Sequence, residues 1–218
     1  MITVAPTILV PDVNTFAVQA NLFTSFAKRV QLDIVDGSFA PIRTVSLREI
    51  KQLPNSSDCA WDLHMMVSTP SNHLVDIIRL HPSLCIFPAE VDEKLQPLFD
   101  ELQANGIKTG IALLKATFPG NLTSLIKTVD HVIIFAGTLG KQGGIADLIQ
   151  TEKVPIIQSI NPSVEIGWDG GANLKNIRTI ANSGVKVINV GSAIAQSSDP
   201  LEAFKALNAE SERPGVLL

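Results

Sequence analysis

The chain has 218 residues, and its 17 Lys and Arg against 21 Asp and Glu leave a net charge of −4. This length suits one α/β barrel, and a hydrophobic fraction of 45% with 17% charged residues excludes a disordered chain. The mild acidity argues against nucleic-acid and anionic-membrane partners, and no apolar run reaches the roughly 20 residues of a membrane span, so we expect a cytoplasmic protein.

Short runs rich in Val and Ile alternate with amphipathic stretches along the chain. Eight runs are predicted as strands, at residues 3–10, 30–35, 60–67, 84–87, 109–114, 131–135, 164–168 and 187–190. Nearly continuous apolar runs, each followed by a helix, are typical of parallel strands covered by helices. The pattern predicts a single (β/α)8 TIM barrel over residues 1–218, and a doubly wound open sheet is the alternative.

The stretches between these strands include several amphipathic segments. Five are predicted as helices, at residues 15–28, 45–53, 73–80, 93–105 and 174–183. Between residues 144 and 162 the helical pattern is weakest, because Pro155 and Pro162 interrupt it. Cys59 and Cys85 lie in apolar stretches without metal-site spacing, so we expect two buried free thiols.

Polar side chains lie toward the ends of three predicted strands. The second strand carries Gln31 and Asp33 on one face, the third carries Asp62 and His64, and the seventh is followed by Asp169. A barrel places its functional side chains at the C-terminal ends of its strands. A carboxylate there needs a partner, which His64 with a divalent cation would supply. The alternative is that the aspartates cap neighbouring loops.

Glycines follow the last two strands, with Gly170 and Gly171 after the seventh and Gly191 and Ser192 after the eighth. Glycine lets backbone N–H groups approach a phosphate, and Ser192 adds a hydroxyl. Barrels often bind phosphate in the loops after strands seven and eight. We therefore predict a phosphate site here, with ordinary turns as the alternative.

Six segments, in order and spanning most of the chain, match the motifs of one known family. They are APTIL with the following Asp12, LDIVDGSFAP at 32–41, WDLHMMVSTP at 61–70, GIKTGIAL at 106–113, WDGGAN at 168–173 and NVGSAI at 189–194. Together they resemble the motifs of the ribulose-phosphate 3-epimerase family.

The resemblance implies an isomerase of the pentose phosphate pathway that converts D-ribulose 5-phosphate to D-xylulose 5-phosphate or a related phosphorylated ketose. It implies that Asp33 and Asp169 transfer the protons through a metal-stabilised enediolate. One divalent ion (Zn, Mn, Fe or Mg) would be held by Asp33, His64 and Asp169, with Gln31 as a further candidate. It also implies a homo-oligomer. The implied contacts to substrate and phosphate are Thr7, His64, Gly140, Gly143, Gly170, Gly171, Gly191 and Ser192.

The pocket motifs depart from the family pattern more than the framework does. Gln31 stands where the family has a metal-binding histidine, Val35 replaces a methionine, and Pro88 replaces a histidine of the fourth strand. The segment FAGTLGKQGG at 135–144 keeps the glycines of the family's sixth-strand motif but lacks its Asn-Pro. Residues 114–115, at the end of the fifth strand, also stand where the family has Asn-Pro. An amide oxygen is a poor ligand for zinc but suits harder ions such as Mg²⁺ or Mn²⁺.

Three functions therefore stay open. The first is the metal-dependent epimerase, and the second is an epimerase-like barrel that binds a sugar phosphate but has lost or changed the chemistry. A decarboxylase or aldolase is the third, although related decarboxylases carry DxKxxD where this chain reads Asp62, Leu63, His64. The remaining histidines of the chain, His73, His81 and His131, are expected at surface or cap positions.

Overall fold

Eight parallel strands form a closed barrel in the computed structural model, which describes residues 2–55, 57–141 and 143–213. The strands are β1 (Thr3–Ile8), β2 (Arg29–Val35), β3 (Ala60–Met66), β4 (Leu84–Pro88), β5 (Lys108–Leu113), β6 (His131–Phe135), β7 (Glu165–Asp169) and β8 (Val187–Val190). Each strand pairs with the next in sequence, and β8 closes the barrel on β1. The predicted (β/α)8 barrel is confirmed and the open sheet is excluded.

The outer layer consists of α-helices that cover the barrel. They are α1 (Val13–Thr24), α2 (Leu74–Leu80), α3 (Gln96–Ala104), α4 (Thr123–Ile126), α5 (Lys153–Ile160), α6 (Ile177–Asn182), α7 (Ser192–Ala195) and α8 (Pro200–Ser211). Helix α1 begins before its predicted start, because the Asp12 carboxylate accepts the N–H groups of Asn14 and Thr15, each at 2.9 Å. None of the described helices is long and apolar enough to cross a bilayer.

The helix predicted at residues 45–53 is wrong. The segment makes single turns, in which the N–H of Ile50 bonds the carbonyl oxygen of Leu47 three residues earlier. The Arg79 guanidinium, on α2, donates to the carbonyl oxygens of Leu47 at 2.8 Å, Ile50 at 2.9 Å and Lys51 at 3.2 Å. A helix would use the first of these carbonyls internally, so the Arg79 contacts favour the irregular path.

Helix α5 forms despite the proline that was expected to interrupt it. Pro155 is the third residue of this helix, where a backbone N–H has no intrahelical partner to lose. The helix ends at Ile160, and Asn161 is extended, as expected for the residue before Pro162. The two prolines therefore mark the first turn and the end of the helix rather than a break within it.

The lower, N-terminal end of the barrel interior holds a network of charged side chains. Arg29 lies 2.7 Å from Asp62 Oδ2 and 2.8 Å from Glu165 Oε2, and His131 Nδ1 lies 2.8 Å from the same Glu165 oxygen. His131 is only 1% exposed, so its predicted surface position is wrong, while His73 and His81 flank α2 as expected. The network residues line a cavity at this lower end, opposite the end of the barrel that carries Asp33 and Asp169.

An apolar layer separates this network from the upper end of the barrel. Leu84, Ile86, Ala112 and Ile133 pack together inside it, on strands β4 to β6. A much larger apolar core lies between the strands and the helices. Both cysteines are buried and free, as predicted.

Candidate active site

Strands β2, β3 and β7 bring three predicted residues together at the upper end of the barrel. Asp33 on β2 and His64 on β3 are register neighbours, and Asp169 is the last residue of β7. His64 Nδ1 lies 3.3 Å from Asp33 Oδ1 and 3.3 Å from Asp169 Oδ2. One ligand atom from each residue lies within 4.8 Å of the others, so the three could hold a metal ion. This arrangement is the one that the strand-end pattern predicts.

Gln31 completes the cluster from below. Its Nε2 donates to Asp33 Oδ1 at 2.9 Å and to Asp169 Oδ2 at 2.7 Å. The side chain is fully buried, and its Oε1 has no hydrogen-bond partner among the described residues. An amide donor and an imidazole nitrogen thus face the same two carboxylate oxygens.

Burial and mutual charge alter the proton affinities of the cluster. Burial, with the neighbouring charge of Asp169, raises the pKa of Asp33 to about 6, against the lowering effect of the His64 and Gln31 hydrogen bonds. Although burial opposes it, contact with both carboxylates raises the pKa of His64 to about 9. The two carboxylates therefore favour the protonated form of His64, and burial makes Asp33 bind a proton more readily than usual.

A cavity opens above the two aspartates. It is lined by Asp33, Asp169 and Thr7, the predicted substrate contact on β1. The predicted phosphate-site residues also line it: Gly140, Gly143, Gly170, Gly171, Gly191 and Ser192. His64 and Gln31 do not line the cavity but lie buried beside the aspartates. The predicted acid–base and phosphate residues thus share one opening.

Two of the lining glycines allow the loop after β7 to pass against a neighbouring loop. Gly170 and Gly171 have φ of +115° and +69°, and added Cβ atoms would lie 2.1 Å from Gly137 N and 2.3 Å from Ala146 N. No larger residue fits at either position without moving backbone. The absence of side chains at these positions keeps the backbone of this wall close to the cavity.

Two residues in the cavity wall are functional candidates that were not predicted from the sequence. Asn189 on β8 is 2% exposed, and neither its amide nitrogen nor its amide oxygen has a partner among the described residues. An amide inside the apolar run 187–190 was the signal. Lys141 contributes the one Lys or Arg side chain among the described lining residues, and it makes no ion pair with them. Its position in a loop without periodic pattern gave no such signal.

The ends of β4 and β5, where the sequence departs from the family motifs, do not line the cavity. Glu90 Oε1 accepts the N–H of Leu114 at 2.9 Å and also the Thr117 hydroxyl. Lys153 Nζ donates to the carbonyl oxygens of Leu114 at 2.7 Å and Lys115 at 3.1 Å. These strand ends are tied to α5 and to the loop after β4 instead of serving the pocket.

Comparison with known proteins gives matches over nearly the whole chain. Residues 3–195 match the model of the ribulose-phosphate 3 epimerase family. The cytoplasmic isoform of ribulose-phosphate 3-epimerase from Oryza sativa subsp. japonica is 28% identical over 214 residues, which cover 96% of this chain and 94% of that protein. The ribulose-phosphate 3-epimerase of Helicobacter pylori strain J99 is 27% identical over 208 residues, covering 94% and 95%.

Solved structures share the fold at much lower identity. The 3-hexulose-6-phosphate synthase from Salmonella typhimurium superposes with a TM-score of 0.74 at 13% identity, covering 96% of this chain and 98% of that one. KGPDC from Streptococcus mutans gives 0.70 at 11% identity, covering 97% of this chain and 98% of that one. At these identities the likeness concerns the fold alone.

Proposed function

The chain belongs to the ribulose-phosphate 3-epimerase family, and on this premise we propose that it epimerises a phosphorylated ketose of the D-ribulose 5-phosphate to D-xylulose 5-phosphate type. The observation that supports this most is the pair Asp33 and Asp169, whose oxygens approach one His64 nitrogen at 3.3 Å and which line a common cavity. Inversion next to a carbonyl removes a proton from one face and returns one to the other, which requires two acid–base groups.

In the proposed mechanism, one aspartate accepts the substrate proton while the other donates from the opposite face. Such a pair must start with one carboxyl group protonated and the other ionised. The raised pKa of Asp33, caused by burial and by the charge of Asp169, suits the protonated role. His64 would orient both carboxylates and offset their charge.

The donor set also fits the divalent ion that the family implies. Asp33, Asp169 and His64 would hold it, and Gln31 Oε1 is buried without a hydrogen-bond partner among the described residues. When bound, the ion would supply positive charge next to the reacting carbonyl. Oxygen ligands from two carboxylates and an amide favour Mg²⁺ or Mn²⁺ over Zn²⁺.

The phosphate of the substrate would lie at the glycine-lined side of the same cavity. Gly170, Gly171 and Gly191 leave backbone accessible there, and Ser192 adds a hydroxyl. Gly143 lies close to this hydroxyl, since a Cβ at Gly143 would be 3.4 Å from Ser192 Oγ. The loops after β6 and β8 would thus meet at the phosphate.

The decisive experiment follows exchange of the substrate proton in D₂O with D-ribulose 5-phosphate. Deuterium incorporation at C3, with formation of D-xylulose 5-phosphate, is expected. Repeating the reaction after chelation and after Mn²⁺ addition tests the ion. Absence of exchange under all three conditions would reject the epimerase.

A sugar-phosphate-binding barrel without this chemistry is the second candidate, because Gln31 replaces a metal-binding histidine of the family pattern. Binding of D-ribulose 5-phosphate without exchange would support it. Asp62 does not line the cavity and bonds to Arg29, which disfavours a decarboxylase or aldolase built on β3. Cytoplasmic location and homo-oligomeric assembly stay predictions.

A further inference from the structure

Gln31, like His64, contacts both carboxylates of the site. Its single Nε2 atom donates to Asp33 Oδ1 at 2.9 Å and to Asp169 Oδ2 at 2.7 Å. The side chain is 0% exposed, so the amide itself is shielded from bulk solvent. Both hydrogens of the amide are therefore committed to the carboxylate pair.

Only a primary amide among neutral side chains can make this bridge with one nitrogen. Each ring nitrogen of histidine carries at most one hydrogen, so one nitrogen of a histidine at position 31 could not donate to both oxygens. Two carboxylates in a buried site repel each other strongly unless donors or a cation offset them. Beside the His64 imidazole, which approaches the same two oxygens at 3.3 Å, Gln31 further offsets this repulsion with hydrogen bonds and without adding charge.

The oxygen of the same amide is a hydrogen-bond acceptor instead of a donor. Gln31 Oε1 is buried and has no hydrogen-bond partner among the described residues. A half-turn about the bond to the amide carbon exchanges Nε2 and Oε1, and it would present an acceptor instead of a donor to the space between the carboxylates. We propose that Gln31 is a positioning residue that keeps Asp33 and Asp169 paired when no cation is present and turns its amide oxygen toward a cation that binds them.

This inference deepens the proposed function, on which it rests only for the catalytic role of the pair. Its consequence is that the acid–base pair is assembled before any ion binds. An ion that binds must displace two hydrogen bonds to carboxylates, which lowers its net affinity. A histidine at this position could not donate to both carboxylates from one nitrogen. Glutamine therefore lowers the affinity for the ion but keeps the two aspartates paired when the site contains no ion.

The first test compares Gln31→Met with Thr7→Val in the presence of a chelator. Thr7 is the register neighbour of Gln31 and is also buried, but its Oγ1 has no partner among the described residues. Loss of two hydrogen bonds to carboxylates should lower the melting temperature of Gln31→Met by at least about 5 °C. Thr7→Val should melt at or above the wild-type temperature. Equal melting of Gln31→Met and wild type would overturn the proposal.

The second test uses Gln31→Glu, which keeps the shape of the side chain but adds a third carboxylate. In chelator it should melt below the wild type, because even a protonated carboxyl group has one hydrogen instead of two to donate to the aspartates. Added Mn²⁺ should then raise its melting temperature more than that of the wild type. A rise no larger than that of the wild type would mean that position 31 does not face the ion.

A measurement on the unchanged protein keeps the proposal testable if the variants fail to fold. In ¹⁵N-labelled protein with chelator, the side-chain amide pair assigned to Gln31 should exchange with D₂O at least about tenfold more slowly than that of exposed Gln52. This pair should shift when Mg²⁺, a diamagnetic ion, is added. Uniformly fast exchange of the glutamine side-chain amides would overturn the bridge. Slow exchange of the Gln31 amide is expected even if the protein has no epimerase activity, so this measurement tests the bridge separately from the proposed function.

Discussion

Asp33 and Asp169 approach the same imidazole nitrogen, His64 Nδ1, each at 3.3 Å, although they lie on β2 and β7. A common neighbour holds the two carboxylates at one point of the barrel, where both line the cavity. The side chains of a proton-transfer pair must be fixed in this way, because misplacement of either group by about 1 Å can reduce the rate about 100-fold.

Replacing either aspartate with asparagine should abolish most of the epimerisation. Asp33→Asn and Asp169→Asn each remove an acid–base group without changing its size, so we expect losses of about 10²- to 10⁴-fold in kcat. Asp100→Asn, at an exposed position on α3, should keep wild-type activity. Circular dichroism would establish that all three variants fold. Near wild-type epimerisation by either pocket variant would disprove the two-carboxylate mechanism.

Replacing Gln31 with histidine should increase the affinity for zinc. Imidazole is a better zinc ligand than an amide oxygen. Mutation of residues that only contact metal ligands already changes metal affinity by roughly 10- to 100-fold, so we expect the new ligand to raise zinc affinity at least about tenfold. Isothermal titration with Zn²⁺ and elemental analysis of the purified variant measure it. Unchanged zinc affinity would indicate that the side chain at position 31 does not reach the ion.

Much of this site was predictable, because each of its main residues lies on a strand with a strong apolar pattern. Asp33, His64 and Asp169 interrupt such runs at their C-terminal ends, and the barrel topology brings those ends together. What the sequence did not predict depends on partners far away along the chain. The Glu165 contact that buries His131 and the Arg79 contacts that replace the helix at 45–53 have no local signature.

Lys141 should contribute to binding of the substrate phosphate. It is the one described cationic side chain lining a cavity that otherwise contains two aspartates, so its removal should weaken binding of an anion. We expect Lys141→Met to raise the Kd for inorganic phosphate and D-ribulose 5-phosphate about fivefold at low salt, and less at high salt. Lys127→Met, at an exposed site after α4, is the matched control and should bind both ligands normally. Equal affinities of the two variants would exclude the role of Lys141.

Arg79 should stabilise the irregular connection between β2 and β3. Its guanidinium donates to the carbonyl oxygens of Leu47 and Ile50, which would lose these donors in Arg79→Met. We expect the free energy of unfolding to fall by about 2–3 kcal/mol. Arg48→Met is the control, because the Arg48 side chain is 79% exposed and its ion pair with Asp76 should contribute under about 1 kcal/mol. Urea unfolding measures both, and equal losses would contradict the specific role of Arg79.

The charged network at the lower end of the barrel should make stability depend on acid pH. Although burial opposes it, the His131 hydrogen bond and the Arg29 charge lower the pKa of Glu165 to about 2 from its usual 4.5. A lowered pKa in the folded state means that the ionised group stabilises the fold fully above pH 4.5. This contribution is lost as the pH falls from 4.5 toward 2. Urea midpoints across this range should therefore fall more steeply for the wild type than for Glu165→Gln, which cannot ionise. Parallel pH profiles would show that the Glu165 carboxylate contributes nothing to the acid sensitivity of the barrel.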